Sequence, residues 1–332
     1  MRVLNTPLPP VTTLPLPLGR GDAVLAFDVG GTDMKSALFT SDGTMLGLTR
    51  TPTPRAGAET PTAVIELVAQ ISARYARRFS EVTPRAAGIL VPGVVDDEHG
   101  IGVLSSNLGW RDAPFTHLAE DRLGLPVAFG HDVRGAGEAE FRLGAARGAQ
   151  DAAVLVIGTG IAGAFFIGGK SYIAGGYAGE IGHSIVVPDG PGCACGGAGH
   201  LESLASASAI VRRFSEQSGE TLDGARAVLL RAQAGDATAQ GVWDDAVHAL
   251  ALGICQVITI VAPEVVVLGG GLAQAGPALF DPLEHALDGM LTFHRRPRLV
   301  GAQIGEDAGL LGAALRARDL AERAGSALGR TA

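Results

Sequence analysis

The sequence predicts an α/β protein of two domains, each a mixed β-sheet flanked by helices. At 332 residues the chain is longer than one compact core ordinarily holds. Apolar runs of strand length alternate with longer runs whose apolar residues recur every three or four positions. A strand, glycine turn, strand pattern occurs twice, as AVLAFDVGG with MKSALFT and again as AAVLVIGTG with GAFFIGGK. Such an internal echo is expected of two related halves with a cleft between them.

The elements follow in order. Residues 1–21 hold five of the eighteen prolines and predict a loosely ordered tail, unable to form the apolar helix of a signal peptide. The first domain, 22–140, opens as a meander of strands at 23–31, 34–40 and 44–52. A helix over 62–79, a strand at 86–93, a short helix from Phe115 to Leu123, a strand at 126–132 and a helix beginning after Asp132 complete it. The small, polar stretch Gly144 to Asp151 is the expected hinge. The second domain, 141–307, predicts strands at 152–160 and 163–170, then helices at Leu201–Gln217, Leu222–Ala234 and Ala237–Val261. A buried strand at 265–272, a helix at 277–291 and a strand at 296–303 follow, and a closing helix over 308–325 is expected to rejoin the first domain.

Composition narrows the function. Hydrophobic residues make up 47% and charged residues 18%, which fits a packed globule and excludes a disordered chain. A net charge of −8 argues against a general binder of nucleic acid or anionic membrane. Three cysteines supply no disulfide framework and suit a reducing cytoplasm. The longest apolar run, ALALGICQVITIVA, is shorter than the ~20 residues that span a bilayer, so a buried helix is expected there.

The densest chemistry lies between Gly179 and Glu202, where GEIGHSIVVPDGPGCACGGAGHLE gathers two His, two Cys and two Glu in 24 residues. His183, Cys193, Cys195 and His200 make the closed N/S set of a structural zinc ion. Three glycine turns end apolar strands: DVGGT at Asp28 to Thr32, GTG at Gly158 to Gly160, and GGG at Gly269 to Gly271. Missing side chains let backbone N–H groups and a Thr hydroxyl approach phosphate oxygens, and a carboxylate such as Asp28 can hold water around Mg2+. None is a Walker or Rossmann fingerprint. Asp132, between a strand and a helix, reads by position first as a helix N-cap and alternatively as a general base for phosphoryl transfer.

In order along the chain these motifs resemble the ROK family (repressor, open reading frame, kinase) of the actin-like sugar kinases. The resemblance runs from about Ala23 to Ala321 through DVGGTDMK, VPGVVD, NLGW, GHDVRGAGEAE, IGTGIAG, the Cys/His segment and LGGGL. It implies a two-domain actin-like (ribonuclease H-like) sugar kinase fold with an interdomain active-site cleft, and transfer of the γ-phosphoryl group of ATP to a sugar hydroxyl. By position it makes Asp132 the catalytic base and assigns Asn107, His131, Asp132, Glu180, His183 and Glu202 to the sugar. Asp28, Gly30, Gly31, Thr32, Lys35, Gly158, Thr159, Gly160, Gly269, Gly270 and Gly271 go to ATP and its Mg2+, and His183, Cys193, Cys195 and His200 to zinc. It further implies a homo-oligomer, dimer or tetramer.

Three departures stand out. His200 replaces a Cys usual in the family, and imidazole still suits zinc. Asp33 adds negative charge beside the first phosphate turn. His131 stands where family kinases usually carry Asn, which opens the identity of the acceptor. A glucokinase-like hexose kinase is therefore the first expectation. A kinase for an amino or N-acyl hexose or a cyclitol is the second. A sugar-responsive regulator is the third, disfavoured because only 27 residues precede Asp28, too few for a helix-turn-helix domain.

Overall fold

The computed structural model describes residues 18–328, so most of the expected proline-rich tail lies outside the described residues. The chain forms two compact units. One comprises the residues up to 139, the short piece 174–177 and the residues from 307; the other comprises 140–173 and 178–306.

The first unit opens with β1 (Val24–Val29), β2 (Asp33–Phe39) and β3 (Met45–Pro52), followed by α1 (Thr60–Arg78) and β4 (Ala86–Val91). Three short strands come next, β5 (Val94–Asp96), β6 (Ile101–Ser105) and β7 (Trp110–Ala113), then α2 (Phe115–Leu123), β8 (Val127–His131) and α3 (Asp132–Arg142). The main sheet has the order β3-β2-β1-β4-β8, with the first two pairings antiparallel and the last two parallel. β4 is buried along its whole length, as a central strand covered on both faces must be. The strands β5, β6 and β7 form a separate small sheet that the sequence did not lead us to expect. Trp110 packs edge-on against Phe115, which stacks on Phe129, and these rings tie that small sheet to the main one.

The second unit repeats the plan. β9 (Ala152–Ile157), β10 (Ile161–Ile167) and β11 (Lys170–Tyr172) precede α4 (Leu201–Ala205), α5 (Ala207–Ser218), α6 (Ala225–Gln233) and α7 (Ala237–Val261). β12 (Val265–Gly269), α8 (Pro277–Met290) and β13 (Arg298–Gly301) complete it. Its sheet order, β11-β10-β9-β12-β13, has the same succession of antiparallel and parallel pairings as the first sheet. The faint sequence echo is thus a true repeat of topology. α7 is long and apolar enough to cross a bilayer by length and composition, more so than its apolar run suggested. Half of that stretch is buried, and it packs on α4, α5, α6 and α8 as the axis of this unit's core.

Two expectations need correction. The helix expected over Leu201–Gln217 is two helices, interrupted at Ser206. The Ser206 hydroxyl caps α5 by accepting from the amide of Ala209 at 3.1 Å, and the amide of Ala207 donates to the carbonyl of Gly158 at 2.8 Å. The expected hinge at Gly144 to Asp151 lies wholly inside the second unit, with Ala146 and Ala149 buried. The buried carboxylate of Glu140 binds it down, accepting from the amides of Ala145, Gln303 and Ile304. The chain changes unit earlier, inside α3 between residues 139 and 140.

The closing helix α9 (Ala308–Leu328) returns to the first unit and packs on β1, β4 and β8. Close backbone approach fixes its position: a Cβ on Gly312 would lie 2.1 Å from the carbonyl oxygen of Gly135 in α3. Gly312→Ala is expected to destabilise the fold by about 2–3 kcal/mol through overpacking. Gly325→Ala in the same helix, with nothing near its Cβ position, should be neutral or slightly stabilising. Thermal melts of the two variants compare them, and equal melting temperatures would contradict the packing.

Candidate active site

The first unit's sheet positions two carboxylates at the C-terminal ends of parallel strands, where open α/β sheets bind ligands. Asp28, Leu90 and Gly130 stand in one row across β1, β4 and β8, at about 4.8 Å per strand, and Asp132 follows two residues beyond Gly130. Burial raises the Asp28 pKa to about 6, against the pull of Lys35 and with a further push from Asp307. Lys35 and Asp307 approach each other to 3.7 Å. The start of α9 crowds over Asp28, since a Cβ on Gly309 would sit 2.4 Å from its carboxylate. The first glycine turn is held from outside. Thr53 Oγ1 donates to the carbonyl of Gly30, and the amide of Thr53 to that of Thr32. Arg55 donates to the carbonyls of Gly31 and Asn107 at 2.6 and 3.2 Å. A Cβ on Gly31 would meet Asn107 Nδ2 at 2.7 Å, so the turn and Asn107 are immediate neighbours.

Asp132 begins α3, yet the capping position is filled by its neighbour. His131 Nδ1 accepts from the amides of Val133 at 3.1 Å and Arg134 at 3.4 Å, while Asp132 Oδ1 accepts from the next amide, Val133, at 2.7 Å. His131 Nδ1 also lies 3.3 Å from Asp132 Oδ1, the spacing of an ion pair. Two backbone N–H groups aimed at Nδ1 leave no room for a proton there, so the contact is two acceptors sharing one amide and the imidazole is neutral. Burial, followed by the guanidinium of Arg134, pushes its pKa down to about 3, although Asp97 acts in the other direction.

Beneath this junction lies a buried ionic cluster. Asp97 accepts from Arg134 and from Arg316, each at 2.5 Å, and Arg316 also pairs with Glu138 at 3.1 Å. Arg134 reaches further, to the carbonyls of Val95 and Gly176. Gly176 has φ of +93°, and a Cβ there would lie 2.0 Å from the carbonyl oxygen of Val95. The piece Ala174–Tyr177, which leads into the Cys/His segment, is thereby fastened to the first unit.

In the second unit the GTG and GGG turns end adjacent strands, since Gly269 pairs with Val156 in the parallel β9/β12 ladder. Gly158 and Gly271 have nothing within 4 Å of a Cβ position, which leaves their backbones open to a ligand. Beside Thr159 lies a cavity of about 500 Å3 walled by α5 and α6, with Ser208, Arg212, Glu216 and Thr221 among its lining. Sequence reasoning missed it. Apart from Thr159 of the GTG turn and the residues from Thr221 on, its lining comes from the stretch expected as one continuous helix, where no local motif marks it.

The Cys/His segment folds as an irregular hairpin with bridges at Ile185–His200 and Gly192–Ala198. Its glycines are obligatory at two points, because Gly199 and Gly179 have φ of +68° and +103° and Cβ atoms there would strike the carbonyls of Val187 and Gly163. The ligand atoms of His183, Cys193, Cys195 and His200 lie within 4.8 Å of one another. Cys195 Sγ is 3.3 Å from His200 Nδ1 and Cys193 Sγ is 3.8 Å from His183 Nδ1. Ligands about 2.0–2.3 Å from a tetrahedral zinc ion are about 3.3–3.8 Å apart, so the donor set and these two separations suit that ion. His183 Nε2 is then free of the metal and sits 4.0 Å from Glu180 Oε2. Glu202 Oε2 accepts from the amide of Ile161 at 3.0 Å and abuts Gly160, which joins the far end of the hairpin to the GTG turn.

The structure thus gathers the sequence-derived residues into two sets. Asp28, Gly30 to Thr32, Lys35, Asn107, His131 and Asp132 lie in one unit, and the GTG, GGG and Cys/His groups in the other. The ROK family model matches residues 24–320. The chain belongs to the ROK family. Among its curated relatives are a glucokinase of Thermotoga maritima, 35% identical over 317 residues with 88% of this chain and 96% of the relative covered, and an N-acetylmannosamine kinase of Shigella boydii, 31% identical over 299 residues with 89% and 98% covered. A solved ROK family glucokinase from Streptomyces griseus, in complex with glucose and AMPPNP, superposes with a TM-score of 0.74 at 29% identity, covering 90% of this chain and 99% of that one. This ROK chain therefore has the two-domain actin-like kinase fold expected from its motifs.

Two outcomes are expected. Purified protein should carry one zinc per chain; His200→Ala should lose the metal and melt earlier, whereas His200→Cys should keep it, as read by elemental analysis and a melt with and without chelator. Asp28→Asn should raise stability at pH 8 by up to about 3 kcal/mol, the linkage value of a two-unit shift. A raised carboxylate pKa means the native state binds the proton more tightly, so the wild-type handicap is full above pH 6. It shrinks as pH falls from about 6 towards 3.8, and the gain should vanish below that range. A gain independent of pH would contradict the burial of a charged Asp28.

Proposed function

We propose that this protein is an ATP-dependent sugar kinase, glucokinase-like, which transfers the γ-phosphoryl group to a hydroxyl of a hexose with Asp132 as general base. The observation that carries the reading is the placement of Asp132, whose helix-capping role His131 has taken over, two residues beyond the row that holds Asp28. As the attacking hydroxyl closes on phosphorus, Asp132 accepts its proton, and ADP departs with the transferred charge on its β-phosphate. Amides of the glycine turns hold the phosphates, and the cavity walled by α5 and α6 receives the nucleoside. Asp28 would hold water on Mg2+, which neutralises the phosphates when bound; a desolvated carboxylate with a raised pKa is suited to receive a cation. Asn107, His131, Glu180, His183 and Glu202 orient the sugar. His183, Cys193, Cys195 and His200 would hold the zinc ion, whose part would be to fix the His183 ring and the hairpin that carries both glutamates.

The kinship with glucokinases and the glucose and AMPPNP bound by the Streptomyces griseus relative support glucose as acceptor. An N-acyl hexose is the second reading, favoured by the similarity to an N-acetylmannosamine kinase. The need for ATP and for thiols kept reduced as metal ligands supports a cytoplasmic location.

A panel of hexoses, N-acyl hexoses and cyclitols read by ADP release should single out one class. With that acceptor, Asp132→Asn should lower kcat by at least about a hundredfold while the sugar Kd changes little; wild-type turnover in the variant would remove Asp132 as base.

A further inference from the structure

His131 is a buried imidazole whose protonation is dictated by backbone geometry. Nδ1 is committed as an acceptor to the first-turn amides of α3, those of Val133 and Arg134. A neutral ring carries one hydrogen, so it must reside on Nε2. Among the described residues nothing bonds Nε2, and that nitrogen is not among the buried polar atoms sealed without a partner. The side chain is only 8% exposed, and Nε2 lies in the part that remains open. The other end of the ring is 3.3 Å from Asp132 Oδ1, so the Nε2–H opens within a ring's width of the carboxylate to which the reaction is assigned. The charged groups around the imidazole are Asp132 and Arg134 on α3, Arg316 on α9, and Asp97 after β5. The two guanidiniums oppose a second proton on the ring, and the Asp97 carboxylate is engaged by both of them.

We propose that His131 is a specificity-determining residue that offers the acceptor molecule a single hydrogen-bond donor and no acceptor, admitting a hydroxyl or carbonyl oxygen at that point and refusing an ammonium group. The inference rests on the kinase reading and refines its substrate class. An amide side chain there could turn its oxygen towards a donor, whereas this imidazole cannot, because flipping the ring would leave two backbone amides facing a C–H, and moving its proton to Nδ1 would set them against an N–H. Neutral and N-acylated sugars satisfy the site. A sugar whose facing substituent is a protonated amine sets donor against donor in a largely desolvated position.

Two-bond 1H–15N spectra of histidine-labelled protein, with the His131 signals assigned by their loss in His131→Asn, read the tautomer directly. The expected result is an Nε2–H ring that does not titrate between pH 5.5 and 8; an Nδ1–H ring or a titration in that range overturns the proposal. Selectivity is read with hexoses in which one hydroxyl at a time is replaced by an amine, at a pH where the amine is protonated. In the wild type one ring position should show an amino-to-hydroxyl KM ratio above about tenfold, roughly one unfavourable hydrogen-bond contact. In His131→Asn that ratio alone should fall by at least about threefold, with the other positions unchanged. Equal ratios in the two proteins at every position overturn the proposal even if both are active kinases. No phosphoryl transfer to any sugar of the panel would instead remove the kinase reading, and this inference with it.

Discussion

The first unit depends on one carboxylate placed between two guanidiniums. Asp97 receives Arg134 from α3 and Arg316 from α9, and a Cβ on Gly130 would touch both Arg316 and Asp97. The pairs are almost fully buried, so removing any one partner would leave an uncompensated charge in the interior, a loss of several kcal/mol. In return the cluster fixes three things at once: the strand-to-helix junction carrying His131 and Asp132, the seating of α9, and the piece Ala174–Tyr177 that delivers the chain to the Cys/His hairpin. Replacement by apolar residues could match its stability but not this triple registration, which needs directional bonds.

Much of this was legible in the sequence, for reasons that differ by element. The central strands and long helices declare themselves by periodicity, and the GTG and GGG turns by glycines at strand ends. The candidate metal ligands declare themselves by the chemistry of four N and S donors within one loop, and the fold brings those donors within 4.8 Å of one another. What stayed hidden was long-range. Asp97 finds its partners 37 and 219 residues away, and no local pattern can announce that. The break at Ser206 is accompanied by a bond from Ala207 to Gly158, remote in the chain, and the cavity lies against α5 just beyond that break. The strands β5, β6 and β7 are too short to display alternation.

Asp132 shows how structure redistributes roles that the sequence leaves ambiguous. Between a strand and a helix, an aspartate suits a cap as well as a base. Here the histidine before it supplies the acceptor that the helix start requires. The residue that departs from the family's usual Asn thus does backbone work through one nitrogen, and the proposed contact with the acceptor falls to the other.

The return of α9 bears on how the chain is made. Asp307, Gly309, Arg316 and Arg318 all act on the first unit; Arg318 alone ties down the carbonyls of Leu18, Gly19, Asp22 and Thr40. That unit cannot close until residues 307 onward have left the ribosome, whereas 140–306 can fold sooner around α7. The order of synthesis thus leaves the strands that α9 covers without their helix until the chain is nearly complete, an interval in which exposed apolar strands favour aggregation.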